Sequence, residues 1–389
     1  MHNSAIFPIG PEHPALEEII FLELKTEANV VVSAKPKVGY LHRSIEELLI
    51  GKPIQKALFV AERICGICSH SHTQALVNTI EKLMNLEVPV KVSLQRMIIA
   101  ELERIHSHLL CIGLLLHEIG LETYFMLFWK NREYILDCFE FLTGGRVHHS
   151  INAIGTVRCG DFTKEKLEKV NEYLEKVKLF IEQHRKIIST HEVIVSRFKD
   201  KGRISNAFAK NFDVVGPNGR ASSYAFDIRK IDPYELYADF PLKICVRKNG
   251  CALERTLLRC DEILESIKLI QNIIETFPYH EKISEYKPKL SWNISGCAYS
   301  RAEAPRGELF YYIEAKNGII QNIKIKTPTF HMLGLFDKIL KDVPIARVPV
   351  IIQSLDPCFS CMERCLVVNE KGEKHLLKKY HQHGVKHDH

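Results

Sequence analysis

The chain has 389 residues, 46% hydrophobic and 26% charged, enough for one large compound domain or two to three ordinary ones. Its net charge of +6 comes from Lys and Arg interleaved with Asp and Glu, a solvated surface that excludes a nucleic-acid stripe. No run of about 18 uncharged apolar residues occurs and no basic, apolar leader opens the chain, so a cytoplasmic protein without a membrane span is expected.

Residues 19–38 read IIFLELKTEANVVVSAKPKV. Two β-rich runs flank TEAN, which predicts a hairpin. A short helix is expected from Gly39 to Gly51. Helices then dominate. Gln74–Leu86 is one. Ser93–Leu116 is a better one, because Leu94, Ile98, Leu102, Ile105, Leu109, Ile112 and Leu116 recur at three- and four-residue steps. Glu101, Arg104 and His108 lie off that stripe. Asn131–Leu142 follows, stopped by Gly144 and Gly145. Lys164–Ile188 is long, with Thr163 as its N-cap. Asp261–Thr276 ends at Pro278. From Gly307, GELFYYIEAKNGIIQNIKIKT predicts a second hairpin turning at Asn317–Gly318. The last residues are polar and rich in histidine, and disorder is expected there.

The fold class that follows is α+β. A mainly helical bundle core occupies 61–285. An N-terminal α+β region with a small hairpin covers 1–60, a C-terminal α+β region covers 286–364, and a His-rich tail covers 365–389.

Twelve cysteines in a cytosolic chain point to metal or redox chemistry and not to disulfides. Two C-x-x-C pairs stand out: Cys65 with Cys68, and Cys358 with Cys361. Such spacing lets two thiolates in a turn face one ion, and thiolates select nickel, zinc or iron–sulfur clusters. The 289 residues between the pairs are unlike a structural zinc site built in one short segment. Spacing alone leaves a four-cysteine zinc staple open, in a non-enzymatic scaffold. A thioredoxin-like pair lacks its βαβ context.

The flanking residues narrow the choice. Arg63 and His72 frame the first pair as R-x-C-G-x-C-x-x-x-H, and Asp356 and Pro357 precede the second as D-P-C-x-x-C. The combination resembles the two motifs of nickel–iron hydrogenase large subunits. GPEHPALEE, GYLHRSIEELL, AELERIHSHLLCIG, GRASSYAFDIR and DPCFSC look like the energy-converting, membrane-bound hydrogenases. Several of these stretches are also similar to the hydrogenase-derived large subunit of respiratory complex I. Arg364, where most hydrogenases have histidine, fits the energy-converting group. The resemblance runs from about Gly10 to Arg364.

The resemblance implies a nickel–iron centre whose iron carries carbon monoxide and cyanide. Cys65 and Cys358 would bind nickel alone, and Cys68 and Cys361 would bridge nickel and iron. The implied reaction is reversible heterolysis of hydrogen into a hydride and a proton. Cys358 would take the proton and Glu18 would carry it onward, with neighbouring Glu17 as the alternative. EAPRG, residues 303–307, would place Arg306 over the open site, with Pro305 in the same loop. Arg63, His72 and Asp356 would hold the cysteine loops, and His13 and His42 would serve structure or proton traffic. The other eight cysteines read as small buried hydrophobes, so no iron–sulfur cluster is expected in this chain. Electrons would leave through an iron–sulfur small subunit to a ferredoxin-like carrier. Integral membrane subunits and maturation proteins would be the other partners, with attachment to the cytoplasmic face of the membrane through them. C-terminal cleavage between Arg364 and Cys365 is a further possibility of the family. Two competing readings remain: a complex I-type, quinone-facing structural subunit, and the zinc-stapled scaffold.

Overall fold

The Val90–Glu118 helix forms the axis of the molecule and contains the predicted Ser93–Leu116 segment. The computed structural model describes residues 4–12, 18–362, 366–368 and 374–376; the expectations placed on His13, Glu17, Arg364 and Cys365 lie outside these. All of the predicted stripe, Leu94 through Leu116, is at most 3% exposed. Burying each such side chain contributes up to about 1.5–3 kcal/mol relative to exposure. The helix is also covered on its other faces. It packs against Glu122–Thr143 and Ala252–Thr276, and meets Ser69–Met84 and Val348–Leu355.

Polar residues on those faces must therefore find partners. Glu101 accepts two hydrogen bonds from Arg229 Nη1 at 3.0 Å, one from the Tyr237 hydroxyl at 2.7 Å and one from the Ser266 hydroxyl at 2.6 Å. Burial alone would raise its pKa, but the charges of Arg229 and then Arg104 outweigh that and hold it at about 2. A depressed carboxyl stabilises the fold above its unfolded pKa and loses that contribution as pH falls through the folded value. Glu101→Gln is expected to cost about 3–5 kcal/mol at pH 7, because Arg229 loses a buried partner. The gap from the parent should close as pH falls from 4.5 toward about 2. Urea denaturation at a series of pH values checks this; a gap that does not vary with pH would contradict it.

The helix predicted from Asn131 begins nine residues earlier, at Glu122, and that predicted from Asp261 begins nine earlier, at Ala252. Lys164–Thr190 starts as expected, with the Thr163 hydroxyl accepting the Lys166 N–H at 3.3 Å.

Both hairpins form, and each gains a strand. Phe21–Glu27 and Val30–Lys37 turn at Ala28 and Asn29, both with positive φ, and Ser4–Ile9 adds to the free edge of Phe21–Glu27. Gly307–Lys316 and Ile319–Lys326 turn at Asn317–Gly318. Gly296–Ala304 pairs with Gly307–Lys316 across a two-residue turn, Pro305–Arg306. That turn is set by close backbone contact. A Cβ on Gly307, whose φ is +127°, would lie 2.7 Å from the Gly216 nitrogen.

The two chain ends share a core. Ile9, Leu22 and Leu24 from the N-terminal sheet pack with Leu335, Phe336, Ile351, Leu355 and Phe359. Beyond it, within the stretch expected to be disordered, Leu366–Val368 pairs antiparallel with Lys374–Leu376.

Candidate metal centre

Helix Ile54–Ala61 leads into the first cysteine turn, and helix Ser69–Met84 starts directly after Cys68. Buried carboxylates fix both ends of this turn. Glu62 accepts the Ser150 N–H at 2.5 Å and its hydroxyl at 2.7 Å. Glu103, from the central helix, accepts the N–H groups of His70 at 2.7 Å and Ser71 at 3.0 Å. It thereby satisfies donors that a helix start leaves open. Burial pushes its carboxyl up to about 8.

The second turn follows helix Val348–Leu355, which ends at Asp356 in the left-handed region, φ 58°. The Cys358 N–H donates to Thr329 Oγ1 at 2.9 Å. Glu18 accepts the N–H of Phe359, the N–H of Ser360 at 2.9 Å and the Ser360 hydroxyl. Its other contact is with Cys358 Sγ, 3.6 Å away.

The two turns bring four thiols together, each at most 5% exposed. Cys65 and Cys358 Sγ are 3.5 Å apart, Cys68 and Cys361 3.8 Å, and Cys358 and Cys361 3.2 Å. Hydrogen bonds from Cys358, Cys361 and Cys68 hold the Cys65 thiol well below its ordinary range. Bonds to Cys358, Cys65 and Cys68, with burial, push Cys361 well above. The cluster thus carries one negative charge readily and resists four. A thiophilic cation removes that resistance by binding thiolates in their deprotonated form. The donor set fits a metal site.

Arg306 sits at the hairpin tip, 5% exposed. Its Nη2 donates to Asp356 Oδ1 at 2.6 Å, its Nε to the Asp356 carbonyl at 2.9 Å and its Nη1 to Ser107 Oγ at 3.2 Å. With Cys68, His72, Thr329, Cys358 and Cys361 it lines a small buried cavity. His72 joins Tyr311 Oη at 2.7 Å through Nδ1 and faces Cys361 Sγ at 3.6 Å through Nε2. Burial holds the ring near a pKa of about 4, so it is neutral. A neutral ring has one N–H and one bare nitrogen, so it donates to one of these two partners and accepts from the other.

The structure thus brings together all four cysteines, Glu18, Arg306, His72 and Asp356, with Pro305 buried in the Arg306 turn. Arg63 differs. Its side chain is 55% exposed and pairs with Glu62 at 2.6 Å, so it braces the turn from outside and does not reach the sulfurs. His42 Nε2 lies 3.2 Å from Ser44 Oγ. Of the remaining cysteines, Cys111, Cys138, Cys251 and Cys260 are buried as expected. Three depart from that expectation: Cys159 and Cys245 are half-buried, and Cys297 is exposed because it lies on the outer end of an edge strand. Sequence reasoning missed Glu103 and Arg43. Arg43 lies within GYLHRSIEELL and Glu103 within AELERIHSHLLCIG, and Glu103 belongs to a run of charged and histidine residues, Glu101 to His108, that is buried off the apolar stripe.

Known proteins resemble this chain over most of its length. Residues 118–296 and 293–364 match the family of the respiratory-chain NADH dehydrogenase 49 Kd subunit, and residues 43–115 match the nickel-dependent hydrogenases. The membrane-bound hydrogenase subunit alpha of Pyrococcus furiosus is 31% identical over 95% of this chain and 90% of its own. The carbon monoxide-induced hydrogenase of Rhodospirillum rubrum is 31% identical over 92% and 98%. An NADH-quinone oxidoreductase subunit of Chloroherpeton thalassium is 32% identical over 92% and 87%. Among solved structures, a chain of the membrane-bound sulfane sulfur reductase, an archaeal respiratory membrane complex, superposes with a TM-score of 0.87 at 27% identity, covering 93% of this chain and 99% of that one. The class is the large-subunit family of membrane-associated oxidoreductase complexes. The chain belongs to its branch of energy-converting hydrogenase large subunits and complex I 49 Kd subunits. Among the described residues, no helix is long and apolar enough to cross a membrane.

Proposed function

We propose that this chain is the catalytic large subunit of an energy-converting nickel–iron hydrogenase, performing reversible heterolytic cleavage of hydrogen. The observation that carries the reading is a buried four-thiol cluster with a cavity beside it, onto which a guanidinium opens. A closed structural zinc site has no use for that open side.

Cys65 and Cys358 would hold nickel, and Cys68 and Cys361 would hold nickel and iron, the iron carrying carbon monoxide and cyanide. When bound, the metal pair supplies Lewis acidity and two-electron chemistry. The chain's own residues supply the rest. Cys358 Sγ accepts the proton, and Glu18 Oε1, 3.6 Å away, takes it outward. Arg306 lines the cavity and orients what enters it. Electrons leave through an iron–sulfur small subunit to a ferredoxin-like carrier. Integral membrane subunits hold the chain on the cytoplasmic face and move ions, and maturation proteins load the site.

The test is metal content and hydrogen–deuterium exchange on the complex isolated from its native host. About one nickel and one iron per chain with exchange activity is the expected result. Zinc without nickel in matured protein would overturn it, as would a nickel-loaded complex that reduces polysulfide or quinone and leaves hydrogen untouched. Glu18→Gln is expected to keep both metals and lower turnover by about 10²–10⁴-fold, the range for a lost proton carrier. Metal analysis beside a turnover assay separates that from loss of the site.

A further inference from the structure

Two turns from distant parts of the chain supply the sulfurs, so the span between the pairs depends on what grips both turns. Glu62 and Glu103 hold the first turn, and Glu18 holds the second. Arg43, in YLHRS just before the Ile45–Leu49 helix, reaches both. Its Nη1 donates to the Arg63 carbonyl at 2.9 Å. Its Nη2 donates to the Ile64 carbonyl at 2.6 Å and to the Ser360 carbonyl at 2.9 Å. Arg63 and Ile64 are the two residues before Cys65, and Ser360 is the residue before Cys361.

We infer that Arg43 is a positioning residue that sets the distance between the two cysteine pairs, and through it the geometry and retention of the metal. The chemistry suits the task. A guanidinium offers five N–H donors in a rigid plane, enough to hold three carbonyls at fixed separations. Hydrogen bonds from a charged donor are shorter and stronger than neutral ones. An ammonium is a point charge on a flexible stem and cannot fix three acceptors from two turns together. The inference rests on the metal-centre reading given above.

The experiment uses the native complex carrying Arg43→Met and, separately, Arg43→Lys. Three quantities are read: nickel per chain, the rate of nickel loss into a chelator, and the nickel X-ray absorption spectrum. Residues that orient ligands typically change metal affinity by about 10–100-fold. Arg43→Met is expected to lose nickel faster by about that factor, with altered nickel–sulfur scattering. Arg43→Lys keeps the charge, and should shift both readouts in the same direction by a smaller factor. A parent-like release rate and spectrum in Arg43→Lys would overturn the inference, even where Arg43→Met fails to assemble. A parent complex that itself lacks nickel overturns the metal reading along with this one, and is recognised because the unmutated chain is empty.

Discussion

Cys361→Ser is expected to strip the centre, taking nickel from about one per chain to near zero and hydrogen exchange below about 1% of the parent. Cys361 is in contact with thiols of both pairs and with a histidine. It lies 3.2 Å from Cys358 and 3.8 Å from Cys68, and His72 Nε2 is 3.6 Å from its sulfur. Residues that merely orient a ligand cost about 10–100-fold when lost, so loss of a ligand itself must exceed that range. Serine conserves shape but presents a hard, weakly acidic oxygen that does not replace a thiolate for nickel. The fold should survive, since the core of the central bundle contains none of the four site cysteines. The checking measurements are metal analysis and exchange activity on the assembled complex, with circular dichroism for the fold. Full nickel occupancy in Cys361→Ser would refute the assignment of Cys361 as a ligand.

The second large effect is expected at Arg306. Arg306→Met should cost about 3–5 kcal/mol of stability, because Asp356 is 2% exposed and would be left as a buried charge. Arg259 Nη2, 3.7 Å from the other Asp356 oxygen, offers partial compensation and places the cost at the lower end. Turnover should fall by about 10²–10³-fold, the range for removing one preorganised charged donor. Arg306→Lys separates the two effects. Its ammonium can still meet Asp356 but cannot also bond the Asp356 carbonyl and Ser107 Oγ. Stability should return in part while turnover stays low. Thermal unfolding and exchange activity on the same preparations check this; equal recovery of both would show that Arg306 acts through stability alone.

The helices were legible in the sequence wherever one apolar stripe met one polar face. Lys164–Thr190 is the clearest case, with Leu167, Val170, Leu174, Val177 and Ile181 all fully buried beneath a charged outer face. Glu122–Thr143 was half legible because its first turns carry aromatic and apolar residues on the outside, including Met126 at 62% and Trp129 at 38% exposure. Such a surface blurs the period that marks an amphipathic helix. The third strand of each sheet was hidden for a related reason. Ser4–Ile9 is an edge strand whose Ile6 and Phe7 face solvent, and Gly296–Ala304 mixes six small residues with Tyr299, Arg301 and Glu303 and shows little alternation. The site was legible at its four thiols, because C-x-x-C spacing is a local constraint. The bracing was not. Glu103 reaches His70 across 33 positions and Arg43 reaches Ser360 across 317. Contacts at that separation leave no periodic trace in the chain, so topology had to reveal them.

The union of the two chain ends also dictates an order of events during synthesis. A ribosome makes Cys65 and Cys68 long before Cys358 and Cys361, and chains fold from the N-terminus as they emerge. The helical bundle, which spans residues 90 to 276, can therefore collapse while the first thiol pair still waits for its counterpart. The N-terminal sheet waits too, because the residues that complete its core lie near the other end of the chain. On the proposed function, metal loading would then be a final inspection of the finished polypeptide. A product terminated before residue 358 would own a sound bundle and only half of the four-thiol cluster, with Cys65 and Cys68 but neither Cys358 nor Cys361.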